Sequence, residues 1–201
     1  MEHIWNERYS AIGFAYGLEP NSFLVSVAHQ MPRGPVLSFG EGEGRNAVYL
    51  AKLGYDVTAV DQSAVGLAKA VELARKQNVS IKTIHADLRD FEIKPNSWSG
   101  IYSIFCHLPT SMRVSLHSQV ATGLRTGGMF ALEAYTPEQC GRGTGGPPNP
   151  DLMMSLAMLQ QELDGLDILH GYELEREVVE GKYHTGIGSV VQILARRTSQ
   201  L

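Results

Sequence analysis

The chain has 201 residues, 43% hydrophobic and 19% charged, which suits one core of ordinary domain size and is too little for two. Formal net charge is -4 and no run of Lys or Arg stands out, which argues against a nucleic-acid or membrane partner and leaves small molecules. Cys106 and Cys140 stand far apart and in no C-x-x-C pair, MEHIWNERYS has no basic-then-apolar leader, and no run of about 18 apolar residues occurs; the expectation is a cytoplasmic protein without disulfides, metal or membrane span.

Residues 20–30, PNSFLVSVAHQ, place Phe23, Leu24, Val27 and Ala28 at helical spacing behind a proline and predict a lead-in helix. GPVLSF reads as the first strand. NAVYLAKLG reads as a helix with Val48, Leu50, Ala51 and Leu53 inward and Gly54 as its stop, and YDVTAVD alternates like a second strand. Ser63 suits the cap of the helix AVGLAKAVELARKQ, and SIKTIHAD returns to the sheet. GIYSIFCHL is a buried-strand candidate; Thr110 or Ser111 is the expected cap of a helix through Leu124; TGGMFALEAY is a glycine turn feeding a strand. TPEQCGRGTGGPPNPD, residues 136–151, is a long loop of the kind that forms lids or binding segments. LMMSLAMLQQEL reads as a helix with core-filling methionines, and DILHGYELEREV and GSVVQILARR as two antiparallel strands closing the sheet.

This alternation predicts an α/β fold with a doubly wound, mostly parallel sheet. One domain over 1–201 is expected: N-terminal cover helices at 1–33, a cofactor-binding half at 34–135, a loop and helix shaping an acceptor pocket at 136–165, and a closing hairpin at 166–197.

SFGEGEGRN, residues 38–46, stands where the first strand meets the next helix. In a doubly wound sheet the crevice lies beyond the carboxyl ends of the strands, and glycine there lets backbone approach a nucleotide, so Gly40, Gly42 and Gly44 are expected to floor a cofactor site. Gly42 to Ala47 also fits G-x-G-x-x-A, with Asp61 following 19 residues after Gly42, where a dinucleotide fingerprint wants a ribose-binding acid. Against a nicotinamide dinucleotide, Glu41 and Glu43 would oppose an anionic pyrophosphate unless they point away. A cationic cofactor meets no such conflict.

VLSFGEGEGRNAVYLAKLGYDVTAVDQS resembles the first two motifs of the class I S-adenosylmethionine-dependent methyltransferases, and GEGRN, YLA, GY and AVD are similar to their tellurite-resistance and thiopurine-type small-molecule branch. HAD, SIFCHLP and LRTGGMFALE resemble later motifs, and EGKYHTGIGSVVQILARR the closing hairpin. The resemblance implies a seven-stranded sheet in the order 3-2-1-4-5-7-6 with an antiparallel C-terminal strand, and S-adenosyl-L-methionine as cofactor with S-adenosyl-L-homocysteine as product. It also implies roles. Asp61 would accept both ribose hydroxyls and Gln62 lie against adenine; Asp87 would accept from the adenine amine and the Leu88 amide meet a ring nitrogen. Gly40, Glu41 and Gly42 would border the methionine tail, with Asn46 contacting it or capping the turn. Ile104, Phe105 and Cys106 would wall the methionine side, and Tyr16 with Gly17 would fold over as a cover.

Two positions depart from the family pattern: Ser38 and Ser99 stand where acids are usual. Glu41 is expected to supply the charge missing at Ser38. The expected reaction is in-line methyl transfer to a small nucleophile such as a thiol or a chalcogen oxyanion. A hydroxyl would need a general base, for which His184 and His107 are the candidates. A cofactor-binding protein without catalysis and a nicotinamide-dependent oxidoreductase remain as alternatives, and the oligomeric state is not readable.

Overall fold

The computed structural model describes residues 2–198. Its strands are β1 (Pro35–Phe39), β2 (Asp56–Asp61), β3 (Lys82–His85), β4 (Trp98–Ile104), β5 (Leu124–Tyr135), β6 (Asp167–Glu180) and β7 (His184–Arg196). Its helices are α1 (Glu2–Ser10), α2 (Ser22–Val27), α3 (Arg45–Lys52), α4 (Ala64–Lys76), α5 (Thr110–His117), α6 (Val120–Gly123) and α7 (Leu156–Glu162). The strands form one sheet in the expected order, β3-β2-β1-β4-β5-β7-β6. The first five pair in parallel, and β7 runs antiparallel to both β5 and β6.

Alternation along the buried strands divides the core. Leu37 and Phe39 join Leu116, Val120, Leu159 and Leu163 on the α5 to α7 face, while Val36 and Val57 join Leu24, Leu50 and Leu67 on the α2 to α4 face. The chain order reverses between β1 and β4, the switch point beyond which an open α/β sheet leaves its crevice.

Local chemistry explains the agreements and the departures. Asn21 caps α2 by accepting from the Leu24 amide, and the lead-in helix tightens to a 3-10 turn over Ala28–Gln30. Ser63 caps α4 by accepting from the Gly66 amide. In α3 the buried face is Ala47, Val48 and Leu50, and Leu53 is exposed. The helix expected through Leu124 is two pieces. Neither Thr110 nor Ser111 caps the first of them; Pro109 holds the cap position and the Thr110 hydroxyl bonds Asp151 instead. The expected helix over 152–163 is confined to α7, because Met153 and Met154 are drawn into the core, the Met154 amide donates to the Tyr135 carbonyl at 3.0 Å, and Ser155 starts the helix as its cap. The 136–151 segment contains short 3-10 turns at Pro137–Gln139 and from Pro150 onward. Among the described residues no helix is long and apolar enough to cross a membrane.

Candidate active site

The glycine turn leaves β1 with Gly40, Gly42 and Gly44 all at positive φ, at 58°, 62° and 91°. The three have different neighbours. A Cβ on Gly40 would stand 2.7 Å from the Cys106 sulfur, one on Gly42 2.6 Å from the Tyr9 hydroxyl, and one on Gly44 2.6 Å from the Ala70 Cβ. Of the three, Gly40 lines the cavity, while Gly42 admits α1 and Gly44 admits α4.

The acids around the turn are committed internally. Asp61, ending β2, accepts from the Gly42 amide at 2.8 Å and the Ser63 amide at 2.7 Å. Burial pushes its carboxyl above the ordinary carboxylate range, opposed by these two amides. Glu41 folds back into the protein, accepting from the Tyr102 hydroxyl at 2.7 Å, the Ala47 amide at 2.9 Å and the Ser38 hydroxyl. The Glu41 carboxylate thus stands beside the Ser38 side chain, three residues along the chain. Burial raises the Glu41 carboxyl against those three donors. Ala47 lies in the first turn of α3, so an internal carboxylate already occupies the helix N-terminus where a dinucleotide pyrophosphate would sit. Glu43 turns its carboxylate to the Ala15 amide at 2.7 Å and Lys69 at 2.8 Å, pinning the N-terminal segment.

A cavity of about 410 Å³ opens beside this turn. It collects the expected Tyr16, Gly40, Glu41, Asn46, Asp61, Gln62, Asp87, Leu88, Ile104, Phe105, Cys106, His107 and His184. Asn46 is not a cap: it lies within α3, and its side-chain carbonyl accepts from the Asn21 amide at 2.9 Å. Asp87 accepts from the Arg89 amide at 2.9 Å. Tyr16 accepts from Arg8 at 2.7 Å and packs 4.7 Å from the His184 ring. Burial pushes the Cys106 thiol up to about 12, so it walls the cavity as a neutral group. Phe105 holds a left-handed φ of 51°, a strained position fixed by its amide donating to the Glu133 carbonyl at 2.7 Å.

At the far end, Phe105 packs 4.7 Å from Tyr135 and 4.8 Å from His184, and Tyr135 stacks on His107 at 5.7 Å. His107 Nδ1 bonds the Leu152 carbonyl at 2.8 Å, and burial pushes its pKa down to about 4. His184 Nδ1 lies 3.7 Å from Glu180, too far for a hydrogen bond, and burial lowers its pKa against the pull of that carboxylate. His107 Nε2, His184 Nδ1 and the Tyr135 hydroxyl are buried without a hydrogen-bond partner. Behind them, Glu180 pairs with Arg45 of α3, Arg176 pairs with Glu133 at 2.6 Å, and Asn21 donates to Glu180 at 2.9 Å.

The α1 residues Trp5, Arg8 and Tyr9 and the α5 residue Met112 also line the cavity and were not singled out in the sequence, whereas Pro147 and Leu152 come from the 136–165 segment expected to shape a pocket. Aromatic spacing in MEHIWNERYS was the available signal for the first group. S-adenosylmethionine fits what is present: a glycine turn bordering the cavity, a carboxylate at the second strand's end, and a helix N-terminus already taken by Glu41 instead of offered to a diphosphate.

The Methyltransferase domain family matches residues 36–128. Over 61 residues, 30% of this chain, the sequence is 41% identical to a probable S-adenosyl-L-methionine-dependent methyltransferase TehB of Haemophilus influenzae, and the match spans only 21% of that relative's length. The uncharacterized methyltransferase YodH of Bacillus subtilis is 28% identical over 125 residues, 60% of this chain and 54% of the relative. The crystal structure of TehB from Haemophilus influenzae aligns at a TM-score of 0.74 and 22% identity, covering 98% of this chain and 67% of that one. A structure described for conversion of a disulfide bond into a thioacetal group during echinomycin biosynthesis aligns at 0.74 with 17% identity, covering 100% and 94%. At such identities the structures speak for the fold. Residues 36–128 therefore match a methyltransferase domain, and the whole chain shares its fold and sheet order with the TehB structure.

Proposed function

We propose that the protein transfers a methyl group from S-adenosylmethionine to a small-molecule acceptor in the cytoplasm. The observation that carries this reading is Asp61, held between two backbone amides beside the Gly40 cradle at the switch point of the sheet. With the carboxylate so oriented, its remaining lone pairs would accept the ribose hydroxyls. Gln62, Asp87 and the Leu88 amide would border adenine, and Glu41, Asn46 and Tyr16 the methionine tail. Glu41 has three donors on its two oxygens and keeps a lone pair for the ammonium.

When bound, the cofactor supplies a methyl group already activated by its positive sulfur. The chain's task is then to orient the acceptor and keep water out. Ile104, Phe105 and Cys106 wall the reacting side, and α1 with Tyr16 closes the cavity above it. His107 and His184 are the proton-handling candidates at the acceptor end. A soft acceptor, a thiol or a chalcogen oxyanion, suits apolar walls.

Isothermal titration with S-adenosylhomocysteine and a turnover assay over a panel of thiols, phenols, amines and chalcogen oxyanions test the reading. Micromolar uptake and methylation of one panel member are expected. Absence of uptake overturns it, and uptake without turnover on any acceptor reduces it to cofactor binding.

A further inference from the structure

Resting on the methyltransferase reading, we infer that the acceptor enters as a neutral molecule whose reacting atom carries its proton, and that this group donates a hydrogen bond to His107 Nε2.

The tautomer of His107 carries the argument. A carbonyl oxygen only accepts, so the nitrogen 2.8 Å from the Leu152 carbonyl bears the hydrogen, and in the neutral ring Nε2 is a bare lone pair. That lone pair has no partner and no access to solvent, although the residue itself lines the cavity. A buried acceptor left unmet is costly, and such atoms call for an explanation.

The surroundings keep the ring neutral. Tyr135 of β5 stacks on it at 5.7 Å, and Phe105 lies 6.2 Å away. The charged or titratable groups facing it are His184 of β7 and Arg113 of α5, both of which oppose a second positive charge; the Arg113 guanidinium is itself held by Glu162 at 2.7 Å. His107 therefore offers no imidazolium to an anion. Leu108 and Leu152 beside it in the cavity wall carry no side-chain donor, and the Tyr135 hydroxyl and His184 Nδ1 of the same cluster are likewise unpartnered. An oxyanion would find no proton on Nε2, whereas a hydroxyl or thiol would satisfy the orphaned nitrogen. Of the two soft acceptor classes, the protonated one fits.

The test uses the protein saturated with S-adenosylhomocysteine at neutral pH, with imidazole nitrogens followed by proton–nitrogen correlation spectra. Phenol and benzyl mercaptan are the protic probes, anisole and benzyl methyl sulfide their methylated counterparts, and selenite the oxyanion. The Nδ1-protonated tautomer is expected before any probe is added. The protic probes should shift Nε2 and bind at least about tenfold tighter than their counterparts. His107→Phe, with its fold checked by circular dichroism, should abolish that difference. An Nε2-protonated tautomer, an Nε2 resonance unmoved by both protic probes, or tighter binding of selenite overturns the inference while leaving the methyltransferase reading standing. Failure to take up S-adenosylhomocysteine at all overturns both.

Discussion

The two ends of the cavity are built on opposite terms. Around the glycine turn every acid has found its donors: Asp61 holds two amides, Glu41 three donors, and Glu43 an amide and a lysine. At the far end, beside His107, three of the five unpartnered buried side-chain polar atoms found among the described residues gather within one aromatic cluster. The turn comes from strand and helix termini, while the rest of the cavity wall draws on the loop at Gly146 to Pro148 and on Leu152. A preorganised end can hold a constant ligand without rearranging, and an end with unmet groups gains when a specific ligand meets them.

Glu180 is where the two ends join, since it pairs with Arg45 of the first and neighbours His184 of the second. Removing its charge should be the most damaging change. Glu180→Gln should cost about 3–5 kcal/mol in urea unfolding, because Arg45 and Arg176 would lose a buried counter-charge. Against the upward push of burial, His184 and the Arg45 and Arg176 guanidiniums together hold its carboxyl at about 2, so its contribution is whole above the ordinary value of 4.5 and disappears only as pH falls toward 2. A loss below 1 kcal/mol would mean the ends are not joined there.

Asp61→Ala attacks the preorganised end alone. Affinity for S-adenosylhomocysteine should fall by about 30- to 1000-fold in calorimetry, the worth of charge-assisted hydrogen bonds to two hydroxyls. Gly44→Ala tests the same end as packing. Its Cβ would meet the Ala70 backbone at 2.7 Å in a left-handed conformation, so a stability loss of about 2–3 kcal/mol is expected.

The smallest effect probes the unmet end. An unfolded histidine takes up a proton near pH 6.5 that buried His107 refuses until about 4, so stability is whole above 6.5 and falls as pH drops through that window. His107→Phe should remove on the order of 1–3 kcal/mol of that acid-side loss, read from unfolding midpoints across the same window. An unchanged acid limb would show that His107 is not buried in its neutral form.

Much of the preorganised end was legible in the sequence. Gly40, Glu41 and Asp61 sit at fixed offsets from a strand and a helix, so local spacing places them. What escaped was direction. Nothing local says that Glu43 turns toward Ala15 and Lys69, or that Gly42 and Gly44 serve Tyr9 and Ala70 instead of the cavity. The end beside His107 was legible only as candidate residues. His107 and His184 were found as ionisable groups near strand ends, but Tyr135 reads as one more apolar strand residue, and Trp5, Arg8 and Tyr9 as a nondescript start.

By itself the sequence determined the order of strands and helices, the turn at the first strand's end and the acid that ends the second, because hydrophobic period, caps and glycine conformation act over a few residues. Only the tertiary structure decided which nitrogen of His107 bears its hydrogen, which glycines face the cavity, and how Arg45, Glu133, Arg176 and Glu180 share one buried site. Those outcomes depend on partners up to 159 positions apart, as for Asn21 and Glu180, and no local rule reaches that far.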